Sequence, residues 1–258
     1  MVCAMQPYLS IVEPGTGRIN MSIKTAIQQF DLFSEGKISP AMSGKYFDSI
    51  NPSNGEVCAR IADAGLIDME IAISAARIAF DHGRWPQIGV TERGQYLLKI
   101  GELIRTHAKE LADLECACTG KTLKHATFID VPTAAETFEY FGNLSGHLVC
   151  ETMHTPAPVL SMIEREPVGV VGAIIPWNYP LIMMAWKLAP ALIAGNTVIL
   201  KPSHDGCAAI MALAKIIGEV GLPKGVLNII SSTDREVGKA LVSSREVDMI
   251  SFTGGTSS

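Results

Sequence analysis

From residue 168 onward the chain alternates short, unbroken apolar runs with longer segments of helical period. The pattern predicts strand 168–175, helix 180–194, strand 196–200, helix 206–220, strand 226–230, helix 234–243 and strand 247–252. Continuous apolar strands alternating with helices indicate a parallel sheet covered on both faces, the doubly wound α/β class. The punctuation agrees with this reading. Pro180 stands at a first helical position, where a missing N–H costs nothing. Gly221 offers the left-handed residue that ends a helix, and Pro223 blocks continuation. In such a sheet ligands bind beyond the carboxyl ends of the strands, which singles out 175–179, 201–206, 231–235 and 252–258.

The first half of the chain is patterned differently. Residues 1–28 show weak periodicity and read as a loosely ordered arm. Between Gly44 and Ala62, Asn51-Pro52 and Asn54-Gly55 separate short apolar runs, which predicts a paired-strand hairpin. A helix follows with an apolar stripe of Ile67, Ile71, Ala72, Ala75, Ile78 and Ala79, and Asp68 is a candidate N-cap. A second helix carries Leu97, Ile100, Leu103, Ile104, Leu111 and Leu114 after Thr91, and a third covers 133–146. Residues 147–166 alternate loosely around Pro156 and Pro158 and predict a protruding two-stranded arm whose edges want a partner. The chain thus divides into an arm at 1–28, a strand pair with helices at 29–146, an oligomerisation-type arm at 147–166 and a parallel core at 167–258.

Composition narrows the function classes. The chain has 258 residues, 21 basic and 26 acidic, for a net charge of -5, and 18% of it is charged. That fraction is below the ordinary level of about 25%, so the chain is neither disordered nor solvating. Phosphate backbones need clustered Lys and Arg, and no basic run occurs, so a nucleic-acid surface is excluded. Val168 to Trp186 is free of charge for nineteen residues, long enough for a membrane span. Pro176, Asn178 and Pro180 oppose that reading and favour two buried elements joined by a turn.

Six cysteines are too sparse for a disulfide scaffold, and Cys116-Ala-Cys118 lacks a second pair at zinc spacing, so no metal site is read. No secretory signal opens the chain, which implies a reducing, cytoplasmic setting. There the glycosylation patterns Asn20-Met21-Ser22 and Asn143-Leu144-Ser145 carry no meaning.

Chemistry concentrates at the strand ends. Asn178 lies between two prolines beside Trp177, where a preset carboxamide can donate N–H to a developing oxyanion, or merely close a turn. Lys201-Pro202-Ser203-His204 precedes a helix. A cation, a hydroxyl and a helix N-terminus suit phosphate or ribose hydroxyls, or form a solvated loop with a capping serine. Phe252-Thr253-Gly254-Gly255 follows the last strand, where paired glycines admit close backbone approach by a pyrophosphate or simply make a turn. No G-x-G-x-x-G, P-loop, H-E-x-x-H or G-x-S-x-G occurs, so ordinary dinucleotide fingerprints, kinases of that type, zincins and most serine hydrolases are set aside.

Four segments taken in order, Pro176-Trp-Asn-Tyr-Pro180, Ala185-Trp-Lys-Leu-Ala-Pro-Ala-Leu192, Ala194-Gly-Asn-Thr-Val-Ile-Leu-Lys-Pro-Ser203 and Ser251-Phe-Thr-Gly-Gly-Thr256, resemble the NAD(P)-dependent aldehyde dehydrogenase superfamily. Asn51 to Glu56 and Ala75 to Phe80 look like its N-terminal motifs, and betaine-aldehyde and related small-aldehyde enzymes are the most similar branch. The resemblance implies a Rossmann-like cofactor domain, NAD or NADP as cofactor and an aldehyde as substrate. It also implies a cysteine thiolate that attacks the aldehyde, hydride passage to nicotinamide and thioester cleavage by glutamate-activated water.

Carried over by motif, Asn178 stabilises the oxyanion, and Lys187 is either a relay or a helix-face charge. Ile174, Ile175, Pro176 and Trp177 line the nicotinamide side. Lys201 and Ser203 face the adenine ribose, and Phe252, Thr253, Gly254 and Gly255 lie against the cofactor. The 147–166 arm resembles the one through which such enzymes form homo- or hetero-oligomers.

The sequence also departs from the family. The family's glutamate and cysteine motifs lie downstream of the segment starting at Gly254, so the resemblance implies a cofactor-binding portion that stops before the catalytic domain and is inactive alone. A non-catalytic nucleotide-binding or subunit-pairing protein and a degenerate remnant are the alternatives. Cys207 stands near a helix N-terminus, where the dipole lowers a thiol pKa, yet small buried packing is the usual role of such a residue. His204 replaces a glutamate that grips the adenine ribose, which removes the charge excluding a 2′-phosphate. Ser232 and Asp234 replace glycines and are expected to crowd or repel the dinucleotide.

Overall fold

The structure, a computed structural model, describes residues 27–147 and 149–256; most of the expected 1–28 arm therefore lies outside the described residues. Three short strands come first: β1 (Gln28–Phe30), β2 (Leu32–Ser34) and β3 (Lys37–Ser39). The hairpin β4 (Tyr46–Ile50) and β5 (Val57–Ala62) follows. Then come α1 (Leu66–Asp81), α2 (Val90–Thr106), α3 (Ala108–Thr119) and the single turn α4 (Leu123–His125), which runs through a π-helical turn (Ala126–Asp130) into α5 (Val131–Leu144). The antiparallel pair β6 (Glu151–Met153) and β7 (Ser161–Ile163) forms the protruding arm. The remainder is β8 (Val170–Ile175), α6 (Pro180–Ile193), β9 (Thr197–Pro202), α7 (Ala208–Gly218), β10 (Leu227–Ile229), α8 (Arg235–Ser243) and β11 (Met249–Phe252).

The main sheet has the order β11-β8-β9-β10-β2-β3. Its first four strands are parallel, in the register Ile174↔Lys201 and Ile174↔Phe252, as the alternating pattern predicts. The wholly parallel expectation needs one correction, because β2 and β3 extend the sheet antiparallel to β10. Leu32 and Phe33 of β2 are buried, and the Phe33 ring packs where α7 is bare at Gly218. A second small sheet, β1-β5-β4, pairs β1 in parallel with β5.

Right-handed crossovers put α6 and α7 on one face of the sheet, while α8, crossing from β10 back to β11, lies on the other with α1. On the first face Trp85, Leu97, Ile100, Ile104, Leu111 and Phe138 are fully buried beneath α6 and α7. On the second, Met69, Ile73, Val170, Ile199, Val237 and Leu241 form the core.

Helix α1 buries a different face from the one its isoleucines suggest. Ile67, Ile71 and Ile78 are exposed, whereas Met69, Ala72, Ile73, Ala76 and Ala79 are buried. Small residues win the sheet side because backbone comes very close there: Thr197 Oγ1 donates to the Ala76 carbonyl at 3.0 Å, and Gly225 (φ 78°) is packed against Ala75 O with no room for a Cβ. The cap also differs. Gly65 is the N-cap, and Asp68 reaches back to accept the N–H of Gly65 at 2.9 Å and of Met42 at 2.9 Å. The expected single helix through Leu114 breaks at His107 into α2 and α3, while its apolar stripe is buried as predicted.

Candidate functional site at the carboxyl ends of the parallel strands

The chain leaves β8 to build β9 and β10 on one side and returns to lay β11 on the other. The carboxyl ends of β8 and β11 therefore flank a topological switch point. Pro176 ends β8, residues 177–179 bend, and Pro180 begins α6. Main-chain bonds bind the neighbouring loops to this turn. Thr253 N–H donates to Ile174 O at 3.0 Å, and Ser203 N–H donates to Ile175 O at 3.0 Å. Gly206 (φ 76°) lets the loop after β9 approach Trp177 O, since a Cβ there would stand 3.2 Å from that oxygen. Ile174 to Asn178, Lys201 to His204 and Phe252 to Gly255 are thus brought together. Ile175 is buried, Ile174 and Pro176 are half-buried, and Trp177 and Asn178 are exposed.

Each strand end presents a distinct group. Lys201 is half-buried, with Nζ 3.3 Å from Pro202 O and 3.5 Å from Ser232 O. Burial pulls its pKa below the usual lysine value, and it forms no ion pair with a carboxylate among the described residues. Ser203 is half-buried beside it. His204 is half-exposed, edge-on to Phe47 at 6.4 Å and 3.6 Å from Asp205 Oδ1. It borders a cleft of about 280 Å³ lined also by Phe47, Thr119, Trp177 and Asp205. At the end of β11 the Phe252 ring folds over Gly254, where a Cβ would meet it at 2.6 Å. Thr253 and Gly255 are exposed.

Lys187 is set back from this group. It lies on α6 and donates to Ser251 Oγ at 2.9 Å, and burial lowers its pKa. The expected crowding by Ser232 does not occur. Its hydroxyl turns inward and donates to Ala64 O at 2.7 Å. The exposed Asp234 carboxylate accepts Glu236 N–H at 2.9 Å as the N-cap of α8. Cys207 behaves as packing: despite its place before α7 it is fully buried, and burial raises its thiol to about 12. Burial also raises Cys118 and Cys116. Cys58 lies against Ser49 O, and Cys150 is exposed on the arm.

One group of residues escaped the sequence reading. Glu115 and Asp130, both fully buried, meet Lys121 beneath Tyr179. The available signal was Glu115 on the buried face of α3, four residues from Leu111, a position where a carboxylate needs a partner.

A family model described as "Aldehyde dehydrogenase family" matches residues 39–258. This chain belongs to the aldehyde dehydrogenase family. It is 43% identical over 225 residues to the betaine aldehyde dehydrogenase of Bacillus subtilis (strain 168), covering 87% of this chain and 46% of that protein. It is 40% identical over 225 residues to the NADP/NAD-dependent aldehyde dehydrogenase PuuC of Escherichia coli (strain K12), with the same coverage. The NAD+ complex of an aldehyde dehydrogenase from Bacillus cereus superposes with a TM-score of 0.86 at 35% identity, over 89% of this chain and 47% of that one. The chain thus spans about half the length of the curated relatives it matches. No helix among the described residues is long and apolar enough to cross a membrane.

Proposed function

We propose that this aldehyde dehydrogenase family chain provides the cofactor-binding part of an NAD(P)-dependent enzyme that oxidises an aldehyde to a carboxylic acid. The observation that carries the reading is the convergence of Asn178, Lys201 and Phe252–Gly255 at the switch point between β8 and β11. The donor set fits a dinucleotide. Lys201 is a half-buried cation without a carboxylate partner among the described residues, next to the Ser203 hydroxyl and the His204 ring. Such a set suits ribose hydroxyls and phosphate oxygens, and a histidine in place of a carboxylate at position 204 leaves both NAD and NADP admissible.

In this reading a bound nicotinamide supplies the hydride acceptor, so that aldehyde, water and NAD(P)+ give carboxylate, NAD(P)H and two protons. Ile174 to Trp177 form the wall on the nicotinamide side, and Phe252 to Gly255 shape the opposite one. Asn178 donates its carboxamide N–H to the aldehyde oxygen as negative charge develops there, an interaction that strengthens in the transition state. Lys187 links α6 to β11. Cys207 and Cys118, the cysteines near the strand ends, are buried, and burial raises their thiol pKa, which argues against either as the nucleophile. In this reading the chain by itself is non-catalytic and acts through a cysteine and a glutamate supplied from elsewhere.

The exposed apolar residues Met153, Val159, Leu160 and Met162 of the arm support assembly with a like or homologous chain through 147–166. The cysteines among the described residues are unpaired, which supports a reducing, cytoplasmic compartment.

The experiment is a thermal melt with and without millimolar NAD or NADP, paired with an assay of aldehyde-dependent NAD(P)H formation. Stabilisation by cofactor that is lost in Lys201→Ala, without turnover, is the expected outcome. Turnover abolished by Cys207→Ala would refute the non-catalytic assignment. Absence of any thermal shift would refute the cofactor reading.

A further inference from the structure

Lys121 follows Gly120, the left-handed residue that ends α3. Its ammonium reaches Glu115 Oε1 at 3.1 Å and makes a very short contact with Asp130 Oδ2. Both carboxylates are fully buried, and the Lys121 side chain is nearly so. Removing charges from water is costly, and a buried pair is tolerated only with close geometry and further hydrogen bonds. Here the remaining contacts go to one segment of chain. The Lys121 Nζ stands 4.2 Å from the centre of the Tyr179 ring. The Leu181 N–H, one of the unpaired donors in the first turn of α6, holds the Glu115 carboxyl pKa down slightly, while Glu115 Oε2 has no hydrogen-bond partner among the described residues. His125 flanks the same ring at 5.9 Å and lies 3.4 Å from Asp130 Oδ1.

We infer that Glu115, Lys121 and Asp130 are positioning residues that brace the Pro176–Pro180 turn from beneath and so fix the Asn178 carboxamide. The turn needs such support. Trp177 and Asn178 are both exposed, so their own side chains are not locked by packing. A donor to a developing oxyanion must be held within about 0.5 Å of its working place. Proline rings fix φ at Pro176 and Pro180, and Met183 N–H donates to Tyr179 O at 2.9 Å. The ring of Tyr179, the last residue of the bend, is the point that the buried cluster contacts, and Leu181 follows it two residues further on in the first turn of α6. No member of the cluster touches a substrate position; each acts through the turn.

The assignment of a chemical purpose to Asn178 rests on the aldehyde-oxidation reading, but the test of the brace does not. Hydrogen exchange by mass spectrometry on the full chain is compared between the parent and Lys121→Met. The expected result is exchange at least about tenfold faster in a peptide spanning 177–183, with the α7 peptide 208–218 unchanged. In a Trp186→Phe background, where Trp85 is buried, acrylamide quenching of Trp177 should rise in step.

If two uncompensated buried carboxylates unfold Lys121→Met, the charge-neutral combination Glu115→Gln, Lys121→Met and Asp130→Asn takes its place, with the same outcomes expected. Uniformly faster exchange, an unchanged 177–183 peptide, or failure of both variants to fold would overturn the brace, because the cluster would then serve the fold at large. Loss of cofactor binding by the parent chain would instead overturn the functional reading and leave the brace standing.

Discussion

Lys187 donates to Ser251 Oγ across 2.9 Å, which ties the central helix α6 to β11, the outermost strand of the main sheet. Burial pulls the lysine pKa down, so the hydroxyl is a partner the ammonium needs. Ser251→Ala should cost about 1–2 kcal/mol in urea unfolding, because it leaves the half-buried charge unpaired. Lys187→Met, which removes the charge along with the bond, should cost less. Neither change should alter the dissociation constant for NAD(P) more than about twofold, which is near the edge of what fluorescence titration separates. A large loss of cofactor affinity in Lys187→Met alone would show that the lysine acts on the ligand rather than on the strand.

His204 offers a direct test of cofactor choice. It lies one residue past Ser203 at the end of β9, half-exposed and bordered by Asp205. Replacing it by glutamate places a formal negative charge where the ribose 2′ position is proposed to lie. Repulsion of a 2′-phosphate at an exposed site is worth about 1–2 kcal/mol after screening. His204→Glu should therefore weaken NADP roughly tenfold while leaving NAD unchanged or tighter. Isothermal titration with the two cofactors reads the ratio, and an equal change for both would remove His204 from the ribose site.

The parallel core was legible because its strands are short, mostly apolar runs alternating with helices, punctuated by Pro and Gly, as at Pro176 after β8 and Gly221 after α7. The same signal located the strand-end loops, and the structure does bring Ile174–Asn178, Lys201–His204 and Phe252–Gly255 together. What escaped was decided by tertiary packing. Helix α1 carries apolar residues on two sides, and periodicity favours the larger isoleucines. The sheet face instead takes Ala72 and Ala76, because only small side chains fit that close approach. Strands β1 to β3 are three residues each, too short for alternation to register. The cluster of Glu115, Lys121 and Asp130 is drawn from α3, the connection after it and the π-helical turn, sixteen residues from end to end, so nothing local marks it as one unit. The inward turn of Ser232 was not legible, because a residue type at a strand end does not reveal which way its side chain turns.

Gly169 should be among the least replaceable glycines. Its φ of 133° is disfavoured for residues with a side chain, and a Cβ there would overlap the Asp248 carboxylate. That carboxylate accepts Val170 N–H at 2.7 Å and pairs with Arg77 at 2.9 Å, holding β8 against the start of β11. Gly169→Ala must strain the backbone and displace this acceptor as well, for a cost of about 3 kcal/mol or more. Gly55, also at positive φ but with nothing within 4 Å of a Cβ, isolates the backbone component, and Gly55→Ala should cost only about 1 kcal/mol. Urea midpoints of the two variants give the comparison. Equal costs would show that Asp248 yields without penalty.

Glu115 sets a pH dependence whose sign is opposite to that of most surface carboxylates. Burial raises its carboxyl from the ordinary 4.5 to about 7, against the favourable charge of Lys121 and with a smaller push upward from Asp130. Between those values the folded chain holds a proton that the unfolded chain releases. The group therefore favours folding at low pH, and that contribution is lost as pH rises through 7. The full span corresponds to roughly 3 kcal/mol, of which roughly 2 kcal/mol falls between pH 5.5 and 8. Glu115→Gln removes the titration while keeping the shape. Its urea-derived stability relative to the parent should accordingly rise by roughly 2 kcal/mol between pH 5.5 and pH 8. Parallel stability curves for the two proteins would mean that Glu115 stays ionised throughout and that Lys121 outweighs the cost of its burial.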